Sequence, residues 1–342
     1  MIGIGVIGYG YWGPNLVRNF MKVAGARVVA VSDIRADRLA SIHKQYPTVQ
    51  TTTNFHDVIS NSDVDAVIVA TPVSTHYELA EMALRAGKHV LVEKPLTSTS
   101  RQSLGLIEEA HRNKRVLMVD HTFVYTSAVR KSQELVADNS VGEIYYYDSV
   151  RVNLGLFQHD VNVIWDLAVH DLAIMDYVLR SRPLAVSATG MSHVPGKPEN
   201  IAYLTLFFES NLIAHVHVNW LAPVKIRRTL IGGSNKMIVY DDLEPSEKIK
   251  VYDKGITLNN GSDNLYRMLI GYRTGDMWAP QIEVAEALQV EAQHFVECIE
   301  NGRQPITDGE AGLRVVKILE AASQSMLQRG QLVKIDLGRL AA

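Results

Sequence analysis

Three glycines near the N-terminus narrow the choice of fold more than anything else in the sequence. Gly8-Tyr9-Gly10-Tyr11-Trp12-Gly13 directly follows the apolar run Ile2 to Ile7 and opens a helical pattern. A G-x-G-x-x-G in that position asks Gly8 to make the tight turn, Gly10 to let backbone approach a pyrophosphate, and Gly13 to let helix and strand pack closely. The helix start then supplies amide donors and the positive end of its dipole. An acidic residue is expected about twenty residues further on, and Asp33 stands there, closing the run Val28 to Ser32. A carboxylate at that point accepts hydrogen bonds from a ribose diol and repels a 2′-phosphate, so the motif predicts NAD in preference to NADP. Arg35 and Arg38 temper this, since either can stack on adenine, bind a phosphate, or stay solvated at a helix start. Tyr11, Trp12 and Ile34 join Gly8, Gly10, Gly13, Asp33 and Arg38 as the expected cofactor contacts in this part of the chain.

The rhythm of the chain divides it in two. A length of 342 residues at roughly 150 per domain suggests two cores. Up to about residue 122, short Val/Ile/Leu runs at Ile2 to Ile7, Arg27 to Ser32, Asp65 to Ala70, His89 to Val92 and Val116 to Val119 alternate with amphipathic stretches. That pattern predicts βαβ units on a parallel sheet, an α/β Rossmann domain over residues 1–122. Over residues 123–342 the runs Glu143 to Leu154, Ala185 to Met191, Ala202 to Glu209, Leu212 to Trp220 and Ile226 to Gly232 are alternating or rich in β-branched and aromatic residues. They predict a mainly antiparallel sheet in an α+β domain, with helices at Ile164 to Leu179, Val290 to Asn301 and Gly309 to Arg329, the last helices staying with this domain or packing back on the first.

Composition excludes several classes of function. A net charge of −3 argues against a protein that neutralises phosphate backbones, so nucleic acid is not an expected partner. There is no basic n-region at the start and no apolar run of roughly 18 residues, so no membrane partner is expected either. The single cysteine, Cys298, fits a reducing compartment and a cytoplasmic location, and reads as an inert buried thiol.

Two further groupings carry chemistry. Glu93-Lys94-Pro95 ends the fifth strand at the carboxyl edge of the sheet, where α/β folds place their ligands. Lys94 there is either a proton relay for an alcohol losing hydride or a surface lysine paired with Glu93. Asp166 and His170, four apart on one helix face, offer a carboxylate and an imidazole pointing the same way, a catalytic pair or a plain surface pair. No metal is expected, because hydride transfer needs none and neither H-E-x-x-H nor a cysteine ligand set is present. The stretch Asn153 to Asn162, with Phe157 inside it, mixes aromatic, amide and charged groups as a polyol pocket does. Lys225, Arg227 and Arg228 suit either a diphosphate or a solvated sheet face.

The early glycine motif, Thr71-Pro72 at the end of the fourth strand with His76 after it, and Glu93-Lys94-Pro95 together resemble the glucose-fructose oxidoreductase, inositol dehydrogenase and MocA (Gfo/Idh/MocA) family. The likeness spans nearly the whole chain. It implies that the sheet of the second domain is large and open-faced. It implies that Lys94 sits at the nicotinamide and the substrate hydroxyl with a cis peptide before Pro95, and that Thr71, Pro72, His76 and Glu93 complete the cofactor set. It further implies that Asp166 and His170 line the substrate site. The assignment taken is His170 as proton acceptor, Lys94 polarising the oxygen and Asp166 orienting, with the reversal of Lys94 and His170 as the alternative. His121 is similar to a family position near the nicotinamide, although Asp120 stands where many relatives have a small residue. Asn153, Phe157, Asn162 and Trp165 resemble the substrate loop of members in surface-polysaccharide pathways. The activity implied is NAD-dependent interconversion of a secondary hydroxyl and a ketone on a sugar, nucleotide-linked in preference to inositol or a free sugar. A cofactor-sensing regulator without chemistry is the competing class. A homodimer or homotetramer through the open sheet face is also implied, with Phe207, Val216, Val218 and Trp220 as the apolar positions.

Overall fold

The computed structural model describes residues 1–155, 161–258 and 270–337. It divides into two compact units, Met1–Thr126 with Ala285–Glu320, and Ser127–Val284 with Ala321–Ala342.

The first unit is built on six strands, β1 (Ile2–Ile7), β2 (Ala26–Ser32), β3 (Gln50–Thr52), β4 (Ala66–Val69), β5 (His89–Glu93) and β6 (Leu117–Asp120). Every pairing is parallel and the order is β3-β2-β1-β4-β5-β6. Strand order therefore reverses between β1 and β4, and the carboxyl ends of those strands open onto the crevice where such sheets bind ligands. The β-branched content of β4, Ala66-Val67-Ile68-Val69, is fully buried, as helices on both faces of a parallel sheet require.

The crossovers are α1 (Gly13–Phe20), α2 (Ala36–Gln45), α3 (Phe55–Ile59), α4 (His76–Arg85) and α5 (Ser100–Asn113). Local signals set their ends. Asn54 caps α3 by accepting the His56 N–H at 3.1 Å, Thr99 caps α5 by accepting from Gln102, and Lys114 closes α5 in the left-handed region. Ahead of α4 the chain makes a 3₁₀ turn, Val73–Thr75, so the α-helix starts two residues later than its apolar pattern predicts.

The second unit holds α6 (Ser127–Ala137), α7 (Val169–Leu179) and strands β7 (Ile144–Leu154), β8 (Pro183–Met191), β9 (Ile201–Phe208), β10 (Ile213–Asn219), β11 (Leu221–Gly233), β12 (Met237–Asp241) and β13 (Ile249–Tyr252). β14 (Gly255–Leu258) and β15 (Ile270–Arg273) form a separate hairpin, while β16 (Met277–Trp278) and β17 (Val333–Lys334) edge the main sheet. Its nine strands run β16-β13-β12-β11-β7-β10-β9-β8-β17, antiparallel except for the β10–β7 pair. The mainly antiparallel sheet expected from the alternating runs is thus present.

Period-two alternation corrects one set of expected positions. Val216, Val218 and Trp220 are fully buried within their own unit, whereas the opposite face of β9 and β10 presents Tyr203, Phe207 and Ile213, each about two-fifths exposed. Tyr203 stacks on His217 there, with ring centroids 4.4 Å apart. Of the four residues expected on the open face, Phe207 alone lies on it. Closing the chain are α8 (Ala287–Asn301) and α9 (Gly309–Leu327). Cys298 on α8 is buried and its thiol is pushed up to about 11, chiefly by burial, which makes it a poor nucleophile. Among the described residues no helix is long and apolar enough to cross a membrane, and no group of three or more His, Cys, Asp or Glu is placed to hold a metal ion.

Candidate active site

The glycine loop of the first unit has the geometry its sequence requires. Gly8 has φ +99°, a conformation that side chains resist. A Cβ on Gly13 would lie 2.4 Å from the Gly8 carbonyl oxygen, so the start of α1 packs directly on the loop. By contrast, a Cβ on Gly10 would meet nothing within 4 Å. That open backbone is what a pyrophosphate needs in order to approach, and it fits a dinucleotide. Gly10→Ala is therefore expected to melt with the parent protein yet bind NAD more weakly, whereas Gly13→Ala should lower Tm outright. Thermal melts and a cofactor titration on both variants check this; the reverse pattern would contradict the assigned roles.

Asp33 is held in place from both sides. Its Oδ2 accepts the Tyr9 N–H at 2.6 Å and its Oδ1 accepts the Arg35 N–H at 2.9 Å, leaving lone pairs on each oxygen for a diol. Arg35 pairs with Asp37 at 3.2 Å, and Arg38 is half-buried at the start of α2. Tyr11 and Ile34 are 84% and 87% exposed. Such large apolar side chains flanking the loop offer surface for a flat ring system. Trp12, its ring stacked beside that of Tyr11, donates its indole N–H to Asp120 Oδ2 at 3.1 Å.

The ends of β4 and β5 are clasped by His76. Its ring nitrogens lie 2.9 Å from the carbonyl oxygens of Pro95 and Thr71, and the ring is almost fully buried. Burial keeps this imidazole below its ordinary pKa, the Lys94 charge adds to that, and the carbonyl contacts oppose it. His76 thus ties two loops together. Thr71 accepts a hydrogen bond from the Thr75 hydroxyl at 2.7 Å, and Pro72 is exposed beside it.

Lys94 follows β5 at the same edge, with its N–H 3.2 Å from Glu93 Oε2 and a cis peptide to Pro95. His121, just past β6, is buried with no hydrogen-bond partner on either ring nitrogen. Burial pulls it down to about 4, so the ring is neutral, a donor on one side and an acceptor on the other.

In the second unit the expected helix begins as a π-helical turn, Ile164–Ala168, in which the Val169 N–H reaches back to Ile164 O. Such wide turns recur at functional sites because they re-aim side chains. Asp166 lies within the turn and takes the Trp220 indole N–H on Oδ2 at 3.0 Å, while His170 opens α7. Beneath His170 the neighbouring Asp171 is buried in a network invisible to sequence patterning. It accepts from Arg151 Nε at 2.7 Å, Arg151 Nη2 at 3.2 Å and Ser149 Oγ at 2.7 Å, and its carbonyl accepts from Tyr147 at 3.0 Å. These bonds pin α7 to β7 and so fix where His170 sits.

Of the expected substrate residues, Asn153 is half-buried at the end of β7. Asn162 donates to Glu199 at 3.2 Å, and Trp165 donates its indole N–H to Ser323 at 3.0 Å. Phe157 lies outside the described residues. On β11, Arg227 pairs with Asp242 at 3.2 Å, whereas Lys225 and Arg228 are exposed.

The chain was compared with known proteins. Residues 2–121 match the family model for the Gfo/Idh/MocA oxidoreductase family, NAD-binding Rossmann fold, and residues 129–239 match the Gfo/Idh/MocA C-terminal domain. Among curated relatives, a scyllo-inositol 2-dehydrogenase (NAD(+)) of Bacillus subtilis (strain 168) is 24% identical, over 99% of this chain and 96% of the relative. A UDP-N-acetylglucosamine 3-dehydrogenase of Acidithiobacillus ferrooxidans is 27% identical, over 95% and 98%. Among solved structures, levoglucosan dehydrogenase in complex with NADH and levoglucosan superposes with a TM-score of 0.82 at 19% identity, covering 98% of this chain and 99% of that one.

Proposed function

From the premise that the chain belongs to the Gfo/Idh/MocA family of NAD-binding oxidoreductases, we propose that it interconverts a secondary hydroxyl and a ketone on a nucleotide-linked sugar. The observation that carries the reading is Lys94 at the carboxyl end of β5, on the edge where the open Gly10 backbone and the anchored Asp33 suit NAD. Bound NAD supplies the hydride acceptor. His170 takes the hydroxyl proton, the Lys94 ammonium donates a hydrogen bond to the same oxygen, and Asp166, steadied by Trp220, orients the substrate. His121, buried and neutral, offers a hydrogen bond to the sugar or to the carboxamide of the cofactor. Asn153, Phe157, Asn162 and Trp165 are assigned to the sugar.

The likeness to a UDP-N-acetylglucosamine 3-dehydrogenase supports a nucleotide-linked substrate; of the β11 cations, Lys225 and Arg228 are exposed but three apart on the strand and so on opposite faces, and either one alone suits a diphosphate. The inositol dehydrogenases among the relatives favour a second reading, a free polyol. Retention of Lys94, Asp166 and His170 together favours turnover over a regulator. The uncovered face carrying Tyr203, Phe207 and Ile213 is assigned to contact between copies of the chain in a cytoplasmic homo-oligomer.

The test is NADH formation over a panel of UDP-, dTDP- and GDP-sugars, free sugars and inositols. Turnover with a nucleotide sugar is expected. Turnover confined to free polyols would overturn the nucleotide preference, and cofactor binding with no turnover on any of them would revive the regulator.

A further inference from the structure

Three carboxyl groups meet inside the first unit, brought from β5, β6 and α8. Glu93 and Glu291 each face Asp120 within hydrogen-bonding reach; Asp120 and Glu291 are buried, and Glu93 is half-buried with its Oε1 withdrawn from solvent. Among the described residues no donor is placed to bond Glu93 Oε1 or either oxygen of Glu291 in good geometry, and the Thr122 hydroxyl, which donates to Asp120, is the one donor that also faces Glu291. As carboxylates, Glu291 would be a buried anion and Glu93 one that meets only the Lys94 N–H and charge, both facing a third carboxyl group, an arrangement costly to keep. As carboxylic acids each becomes a donor, and the accounts of all three groups close. Asp120 then receives the Trp12 indole N–H on Oδ2, the Thr122 hydroxyl on Oδ1, and the acid protons of Glu93 and Glu291. Four donors fill the roughly four lone-pair sites of one carboxylate.

We propose that Asp120, the shared acceptor between the glutamic acids Glu93 and Glu291, is the positioning residue of the dinucleotide site. It holds Trp12, at the start of α1, and the Glu93-Lys94 strand end together around one buried acceptor. The two structures it joins are the phosphate loop and the strand that presents Lys94, and neither Asp120 nor Glu291 needs to touch the cofactor.

The surroundings agree with this charge state. Lys94 from the end of β5, neutral His121 after β6, Thr122, and Tyr125 from the turn that follows are the ionisable or polar groups facing the cluster, and Arg314 from α9 faces His121 beside it. Burial, and then the Asp120 charge, push both glutamic acids well above the usual carboxylate range. A carboxyl raised in this way stabilises the fold fully below its unfolded value, and that stabilisation is lost as pH climbs through the folded one. The cofactor-binding form is the one that keeps both protons, so NAD affinity falls on the alkaline side.

The experiment is calorimetric titration with NAD alone, from about pH 6 to about pH 9, on the full chain and on Asp120→Asn and Glu291→Gln. An infrared spectrum of the carboxylic-acid carbonyl region in H2O and D2O accompanies it. Glutamine keeps a donor toward Asp120 but cannot ionise. Glu291→Gln is therefore expected to match the parent at neutral pH, to flatten the alkaline loss of affinity, and to remove part of the acid band. Asp120→Asn should weaken NAD by roughly tenfold or more, as loss of a buried charged acceptor does. The proposal is overturned if the parent shows no acid band, if Glu291→Gln keeps the full alkaline loss, or if folded Asp120→Asn binds NAD as the parent does. Should Asp120→Asn not fold, the alkaline limb of Glu291→Gln decides alone. No substrate enters this test, so its failure is separate from that of the sugar assignment.

Discussion

Replacing Lys94 with methionine is expected to lower kcat/KM by roughly 10²- to 10⁴-fold, the range for losing a positioned group in proton transfer, while NAD binding stays close to that of the parent. Methionine keeps the unbranched apolar stem and removes the ammonium, so packing at the end of β5 is preserved. What disappears is the hydrogen bond to an oxygen that gains negative charge in the transition state, an interaction that affects turnover more than ground-state binding. The alternative role for Lys94, a surface lysine paired with Glu93, predicts something else. Its N–H already meets Glu93 through the backbone, so a purely structural side chain would leave turnover nearly intact. Steady-state kinetics beside a cofactor titration separates the two, and equal losses in both would remove Lys94 from the chemistry.

The second large effect is on stability. Asp171 and Arg151 are each 3% exposed, and their bidentate pairing is shared with Ser149 and Tyr147. Burial alone would lower the ionisation of Arg151, but the Asp171 charge and hydrogen bonds outweigh it. Asp171→Ala takes the bidentate acceptor away from a buried guanidinium, at a cost of about 3–5 kcal/mol. For a unit of this size that corresponds to a fall in Tm on the order of 10 °C. The double variant Arg151→Met/Asp171→Leu should recover most of the loss, because two apolar side chains leave no charge unpaired. Scanning calorimetry on the single and double variants checks this. A double variant as unstable as the single would mean that shape, not charge, is what Asp171 supplies.

Much of the fold was legible because its signals are local. The glycine spacing, Asp33 at the end of β2 and the dense Val/Ile runs each depend on a few neighbouring residues, and the parallel sheet follows from them. The short elements β3 and β12 to β17 were not anticipated, since strands of a few residues carry too little periodicity to stand out. The π-turn at Ile164–Ala168 escaped for a related reason, as one inserted backbone hydrogen bond leaves the apolar pattern unchanged. Buried polar groups were the least visible. Asp171, Arg151 and Glu291 look like ordinary surface charges in sequence, and only the fold shows that each is enclosed with a partner. The bonds of His76 to Pro95 and Thr71, and of Trp12 to Asp120, join residues distant in sequence and carry no local signal.

Hydride that passes straight from a carbinol carbon of a sugar to bound NAD carries a deuterium label with it. With the best substrate of the panel deuterated at that carbon, the reduced cofactor should carry one deuterium at C4 of the dihydronicotinamide ring by NMR, and turnover should slow. Reduced cofactor free of deuterium, formed at an undiminished rate, would contradict the account.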